Sequence, residues 1–275
     1  MRKKRISGII QTYSRKAREQ ILLIGGDFFK EVGIERHMDD VFSIVDELIK
    51  NAVKANYKFV LIIEKLSEQI KAENPSFSDS DVRHRINQIL KDKPLYDSSA
   101  DGVTANDEVQ RTVRSILNQE SQLIRIKNKV FAEKRDYTDE EKAKIEGLSD
   151  LQHVREELER RNIRVRISVE MDDAFIYVEV TNNAPIMEKD LSRIYAKRDE
   201  FRVYREEKRE HEFFLNNLDT SDSGFGLGYA TIDSFLGNMG LDPYRSIQII
   251  AASNTTVILS LPIEQLAAQP VAAVG

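Results

Sequence analysis

The chain has 275 residues, 41% of them hydrophobic and 32% charged, with a formal net charge of -5. That length and apolar share allow a sizeable core, as one large domain or two smaller ones, and the acidic balance excludes a global attraction to nucleic acid or an acidic membrane. There is no cysteine, which excludes disulfides, thiolate catalysis and cysteine-ligated metals, and no apolar run reaches membrane-span length.

Residues 1–20 hold seven Lys/Arg and one acidic residue, which reads as a solvated helix start or a frayed end. Its apolar patch is too short for a secretory leader, so the expectation is a soluble, cytoplasmic protein. From Met38 to Ile70 the apolar residues Val41, Phe42, Val45, Leu48, Ile49, Ala52 and Val53 recur at helical spacing. The stretch "AENPSFSDSD" breaks that pattern. Up to Arg161 the texture is then polar, charged and helical in period: a helix at 81–91, the turn-rich "KPLYDSSADG", a helix at 106–134 with Val109, Val113, Ile116 and Leu117 on one face, and another opened by a capping box at Thr138–Glu141.

Strands follow. "IRVRISVEM" and "AFIYVEVTN" alternate apolar and polar residues around Asp172-Asp173, a tight turn for an antiparallel pair. A charged segment, 188–222, leads to "SDSGFGLGYATID", where three glycines in five residues run into a helix start. "SIQIIAAS" and "TTVILSLPI" close the chain as a second strand pair. This order gives an α+β protein, a two-layer sandwich with an antiparallel or mixed sheet covered by helices on one face.

Two patterns carry chemistry. A glycine loop entering a helix presents free N–H groups and the positive dipole end to an anion, although such loops also serve as plain turns. In "DELIKNAVKAN", Glu47, Asn51 and Lys54 share one helical stripe. They offer a carboxylate, a neutral oxygen and an ammonium, the groups that magnesium–phosphate chemistry uses; each alone is also ordinary on a wet helix face. The four histidines, His37, His84, His153 and His211, read as surface residues with no phosphoacceptor pattern and no metal spacing.

Together, "ELIKNAVKA", "GFGLGYATI" and the closing "NTTVILSLPI" resemble the GHKL ATPase superfamily, the Bergerat fold of histidine kinases, gyrase and mismatch-repair ATPases. The resemblance covers 38–70 and 163–263. It implies a histidine-kinase-like ATPase domain at 37–263, a mixed sheet, a helical insertion at about 72–161, a basic helical segment at 1–36 and a disordered tail at 264–275. It further implies ATP and Mg2+ as cofactors. Glu47 would act as the water-orienting or basic carboxylate, with a role at the metal through water, and Asn51 as the Mg2+ ligand. Lys54 would contact phosphate. Gly224, Phe225, Gly226, Leu227 and Gly228 would form the phosphate loop, Thr255 would lie near the base, and 188–222 would be a mobile lid.

The sequence departs from the family at "VTNNAPIM", where Asn182 stands for the base-reading aspartate, Ala184 replaces a glycine and one residue is missing; Asn182, Ala184 and Ile186 remain the expected base-side positions. An amide can be turned to offer donor or acceptor, so adenine is favoured and guanine is left open. Three functions are compatible with this pattern: phosphoryl transfer from Mg-ATP to a partner protein in signalling, a nucleotide-gated interaction module with little turnover, and a structural protein whose site has decayed. Expected partners are the nucleotide, a partner protein and a second copy through the helical segments; no nucleic acid and no membrane span are expected.

Overall fold

The computed structural model describes residues 4–12, 19, 25–218 and 227–268. The chain divides into two compact units, Met1–Ala52 with Val165–Gly275, and Val53–Arg164.

The first unit is built on five strands: β1 (Lys4–Ile10), β2 (Val165–Met171), β3 (Phe175–Asn182), β4 (Ile247–Ala251) and β5 (Thr255–Pro262). They lie in the order β1-β2-β3-β5-β4, and every neighbouring pair is antiparallel. The sheet is therefore antiparallel, not mixed, among the described residues. Both strand pairs read from alternation pair as expected, and register lines up a buried apolar set on one face. Ile167, Val180 and Val257 align across three strands, as do Val169, Val178 and Leu259, and all six are buried. The other face carries Arg166, Glu170, Tyr177 and Glu179. Asp172 builds the β2–β3 turn: its Oδ1 accepts the N–H groups of Ala174 and Phe175 at 2.9 and 2.8 Å.

The N-terminal segment departs from the sequence reading. Lys4–Ile10 is an edge strand, pairing Ile6 with Val169 and Gly8 with Ile167, and it is exposed along nearly its whole length. Gly8 and the adjacent Ile9-Ile10 spoil the alternation that would have marked it as a strand.

Helix α1 (Met38–Glu73) runs out of the first unit past Ala52 into the second. Its stripe of Val41, Ile44, Val45, Leu48 and Ile49 is at most 3% exposed, which is what holds the early helix in place. In the second unit follow α2 (Asp79–Lys91), α3 (Lys93–Thr104), α4 (Glu108–Glu133), α5 (Asp139–Glu146) and α6 (Ser149–Arg160). "KPLYDSSADG" is helical rather than turn-rich. Asp92 caps it by accepting the Leu95 N–H at 3.1 Å, Pro94 sits in the first turn where its missing N–H is harmless, and Tyr96 and Ala100 are buried. The capping box at Thr138–Glu141 forms as the sequence indicates; α5 and α6 are separate helices, divided at Gly147-Leu148. Inside this unit Tyr57 donates to Glu120 at 2.7 Å and Arg155 lies 3.6 Å from the same carboxylate.

After β3 the first unit adds the helices α7 (Glu188–Glu206), α8 (Glu210–Leu218), α9 (Leu227–Asn238), the short α10 (Pro243–Ser246) and α11 (Ile263–Ala268). The charged segment expected as a loose lid forms α7 and α8 through residue 218. Ile194, Phe201 and Phe213 on it are buried, and so is Arg198 at 1% exposure. An interior arginine is invisible to an apolar count, so the segment reads as weaker than it is. The expected tail likewise starts as a helix: Leu266 is buried, and the carbonyls of Leu266 and Ala267 accept from Arg36 at 2.5 and 3.1 Å. His37, expected at the surface, is 8% exposed, with Nε2 3.3 Å from the Leu266 carbonyl. No described helix is long and apolar enough to cross a membrane.

Candidate functional site

Burying the apolar stripe of α1 leaves Glu47 and Asn51, one turn apart, half-buried on its flank. The first turn of α9, about 180 residues downstream, comes to that flank. A Cβ built on Gly228 would overlap Glu47 Oε1 and lie 2.9 Å from Asn51 Nδ2 and 3.3 Å from Asn51 Oδ1. At Gly228 α9 therefore comes so close to the side chains of Glu47 and Asn51 that an added Cβ would force them to shift. This contact joins the two sequence patterns that carry the chemistry.

The electrostatics at the contact follow from its parts. The first turn of α9 has no acidic residue of its own, so its positive end faces the Glu47 carboxylate. Asn51 Nδ2 is buried without a hydrogen-bond partner among the described residues; an unpaired buried amide is costly, on the order of 1–3 kcal/mol. The amide oxygen and nitrogen are interchangeable by a flip, so Asn51 can turn an oxygen to a hard cation. A phosphate brought to the helix end would meet the Glu47 charge, and a divalent cation removes that conflict. Mg2+ takes one or two protein oxygens and completes its shell with water and phosphate. The donor set of Asn51 and Glu47 fits it. No group of three or more His, Cys, Asp or Glu residues suited to a metal exists among the described residues.

A second group lies at the ends of β3 and β5, where Asn182 and Thr255 are register partners. Asn182 is 3% exposed. Its Nδ2 donates to the Ala184 carbonyl at 3.3 Å, and the Thr255 hydroxyl donates to the same oxygen at 2.7 Å. A carbonyl can only accept, so the Asn182 amide is fixed with its nitrogen toward Ala184 and its oxygen on the other side. Ile186 is half-buried two residues beyond Ala184.

The remaining expected site residues are Lys54, Gly224, Phe225, Gly226 and Leu227. Lys54 lies beyond Ala52, in the helical unit. Gly224, Phe225 and Gly226 lie outside the described residues. Leu227 opens α9 and packs on the aromatic cluster of Phe201 and Phe213.

Sequence reasoning misses the support behind α9. Asp233 accepts a two-pronged bond from Arg198, Nε to Oδ2 at 2.8 Å and Nη2 to Oδ1 at 2.9 Å, with the two side chains 1% and 3% exposed. Burial pushes the Asp233 carboxyl up, and the hydrogen bonds of Arg198 hold it back in part. Burial is the largest single influence on Arg198 and works against its charge, but the hydrogen bonds and the negative charge of Asp233, with smaller help from Tyr244 and Tyr229, together outweigh it and push the guanidinium up. Tyr229, next to Gly228, is raised by burial, and Asp233 and Glu47 both add to the effect. The signal in the sequence is slight: a single acidic residue inside the apolar helix "LGYATIDSFLGN".

Compared with known proteins, the chain matches no family model, no curated protein and no solved structure.

Proposed function

We propose that the first unit binds a magnesium nucleotide in the manner of the GHKL ATPases that its motifs resemble, and transfers a phosphoryl group to a partner protein. The observation that carries this is the approach of Gly228 to Glu47 and Asn51: a helix N-terminus, a carboxylate and an unpaired amide converge in one compact unit. The N–H groups of Leu227 and Gly228 hold phosphate oxygens. Asn51 turns its oxygen to the cation. Glu47 takes the proton from the attacking hydroxyl or imidazole as the new P–O or P–N bond forms and the bond to the bridging oxygen breaks, releasing the nucleoside diphosphate. Mg2+, when bound, neutralises charge on the phosphates. Asn182, with its amide oxygen turned from Ala184, accepts from the amino group of adenine, the base that the resemblance favours.

The departure at Asn182 supports a second reading of the same site, a nucleotide-gated interaction module with little turnover. A neutral acceptor binds more weakly than a carboxylate, by about 1 kcal/mol or several-fold in affinity. The two readings separate on phosphate release and phosphotransfer by wild type and Glu47→Gln. In the transfer reading the wild type turns over and the variant binds Mg-ATP but does not. A wild type that binds and never turns over assigns the gated reading, and a Glu47→Gln variant as active as wild type removes Glu47 from the chemistry.

A further inference from the structure

We infer that the buried Arg198–Asp233 pair is a positioning latch that sets how close the first turn of α9 comes to Glu47 and Asn51; this rests on the nucleotide reading of that site.

Asp233 lies five residues after Gly228 on the same helix, about 7.5 Å along its axis at the ordinary rise. Arg198 reaches it from α7 with both prongs and uses Nη2 again to donate to the Pro243 carbonyl at 3.0 Å. Its guanidinium carbon lies 4.5 Å from the Tyr244 ring centre. One side chain therefore ties α7, α9 and the turn entering β4. A second arginine of α7 also holds α9 two turns on: Arg205 Nη1 donates to the Asp233 carbonyl at 2.9 Å and to the Ser234 carbonyl at 3.4 Å. Its Nε lies 3.5 Å from Glu210, which accepts from the Ser234 hydroxyl at 3.1 Å. Gly237 belongs to the same device, because a Cβ there would overlap the Arg205 guanidinium.

A buried ion pair is a poor way to gain stability, since apolar residues of the same volume do as well. What a two-pronged bond adds is direction: it fixes both the rotation of α9 about its axis and its position along it. Gly228 needs that, because it has no slack toward Glu47 and Asn51. A displacement of about 1 Å in a site of this kind costs on the order of 100-fold in rate. Tyr229, next to Gly228 on α9, is buried, and the charges of Arg198, Asp233 and Glu47 all act on it.

The test uses the full chain and the variants R198K, D233N and G237A. Mg-ATP affinity is measured by isothermal titration calorimetry, and amide hydrogen exchange at 228–232 and in β2 and β3 is followed without nucleotide. R198K keeps the charge and loses the fork; D233N sets an amide donor against the donors of Arg198. Both, folded by circular dichroism, are expected to bind Mg-ATP at least tenfold more weakly and to exchange the first-turn amides of α9 at least tenfold faster. G237A displaces only Arg205 and gains a good helix former, so it stays folded, with the same signs and smaller changes. A pair that only stabilises the fold would lower Tm and speed exchange at 228–232 no more than in the sheet amides of β2 and β3, leaving the affinity of the folded protein unchanged. Affinity within twofold of wild type in the folded variants, with exchange at 228–232 changed no more than in those sheet amides, overturns the latch while the nucleotide reading stands. If the wild type binds no Mg-ATP, the nucleotide reading fails and exchange alone decides: protection at 228–232 that falls no more than in the sheet overturns the latch, and a tenfold loss beyond that of the sheet in R198K or D233N sustains it.

Discussion

Gly228→Ala is the smallest change that bears on the contact between α9 and α1. In an unconstrained helix the substitution stabilises by about 1 kcal/mol. Here the new methyl would overlap Glu47 Oε1 and stand 2.9 Å from Asn51 Nδ2, inside the 3.4 Å at which ordinary contact begins. Forcing an extra carbon into a packed place costs about 1–3 kcal/mol. Glu47 yields by rotating its longer stem; Asn51, shorter and with its amide nitrogen buried, yields less. The net expectation is a loss of about 1 kcal/mol, a fall in Tm of roughly 2–4 °C for a domain of this order. The displaced Glu47 and Asn51 would weaken Mg-nucleotide binding by about tenfold or more, a loss of about 1.4 kcal/mol. Differential scanning calorimetry reads the first quantity and titration calorimetry the second. A variant that gains the full helical stabilisation and binds nucleotide like wild type would refute the close approach.

Further outcomes follow from the helical unit. Tyr57→Phe removes the donor from the buried Glu120 carboxylate and is expected to destabilise by about 1–3 kcal/mol in urea unfolding; a change under a few tenths would show that the bond is idle. Glu141 receives Arg135 on both oxygens at 2.7 Å and also the Thr138 N–H at 3.0 Å. The Arg135 guanidinium, with the help of that N–H, holds its carboxyl down at about 2, below its ordinary 4.5. The folded value lies below the unfolded one, so the stability it gives is present above about 4.5 and lost as pH falls toward 2. Glu141→Gln should therefore flatten the acid limb of the stability–pH curve in that window, and an unchanged limb would contradict the pairing. Asp92→Ala removes the α3 cap at Leu95 and should cost about 1 kcal/mol, read from the urea midpoint; no shift would show that α3 does not depend on that cap.

The parts of the fold that alternate or repeat were legible. Both strand pairs and the early stripe of α1 follow from periods of two and of 3.6, because burial there is apolar and one-sided. What was not legible depends on polar interiors and partners distant in the chain. α7 looks like a charged flap until Arg198 finds Asp233 35 residues away. β1 reads as a solvated helix start or a frayed end until β2 supplies its register. "KPLYDSSADG" looks like turns until Asp92 is seen to cap it. At the site, the spacing of Glu47 and Asn51 could be read from the chain, as could the glycine at 228. Their meeting could not, since it depends on how α9 is held. The amide of Asn182 was likewise undetermined until the Ala184 carbonyl fixed it.

The central claim is that Glu47, Asn51 and the start of α9 hold a magnesium nucleotide. Its most direct measurement is the thermal midpoint of wild type and Asn51→Ala with ATP, ADP or GTP, each with Mg2+ and again with EDTA. At a hundred times Kd, a ligand of the folded state adds about 2.7 kcal/mol. The account predicts that shift for wild type with Mg-ATP, a smaller one with EDTA or GTP, and its loss in Asn51→Ala. A wild-type midpoint that no nucleotide moves, or one that Asn51→Ala leaves equally responsive, would contradict it.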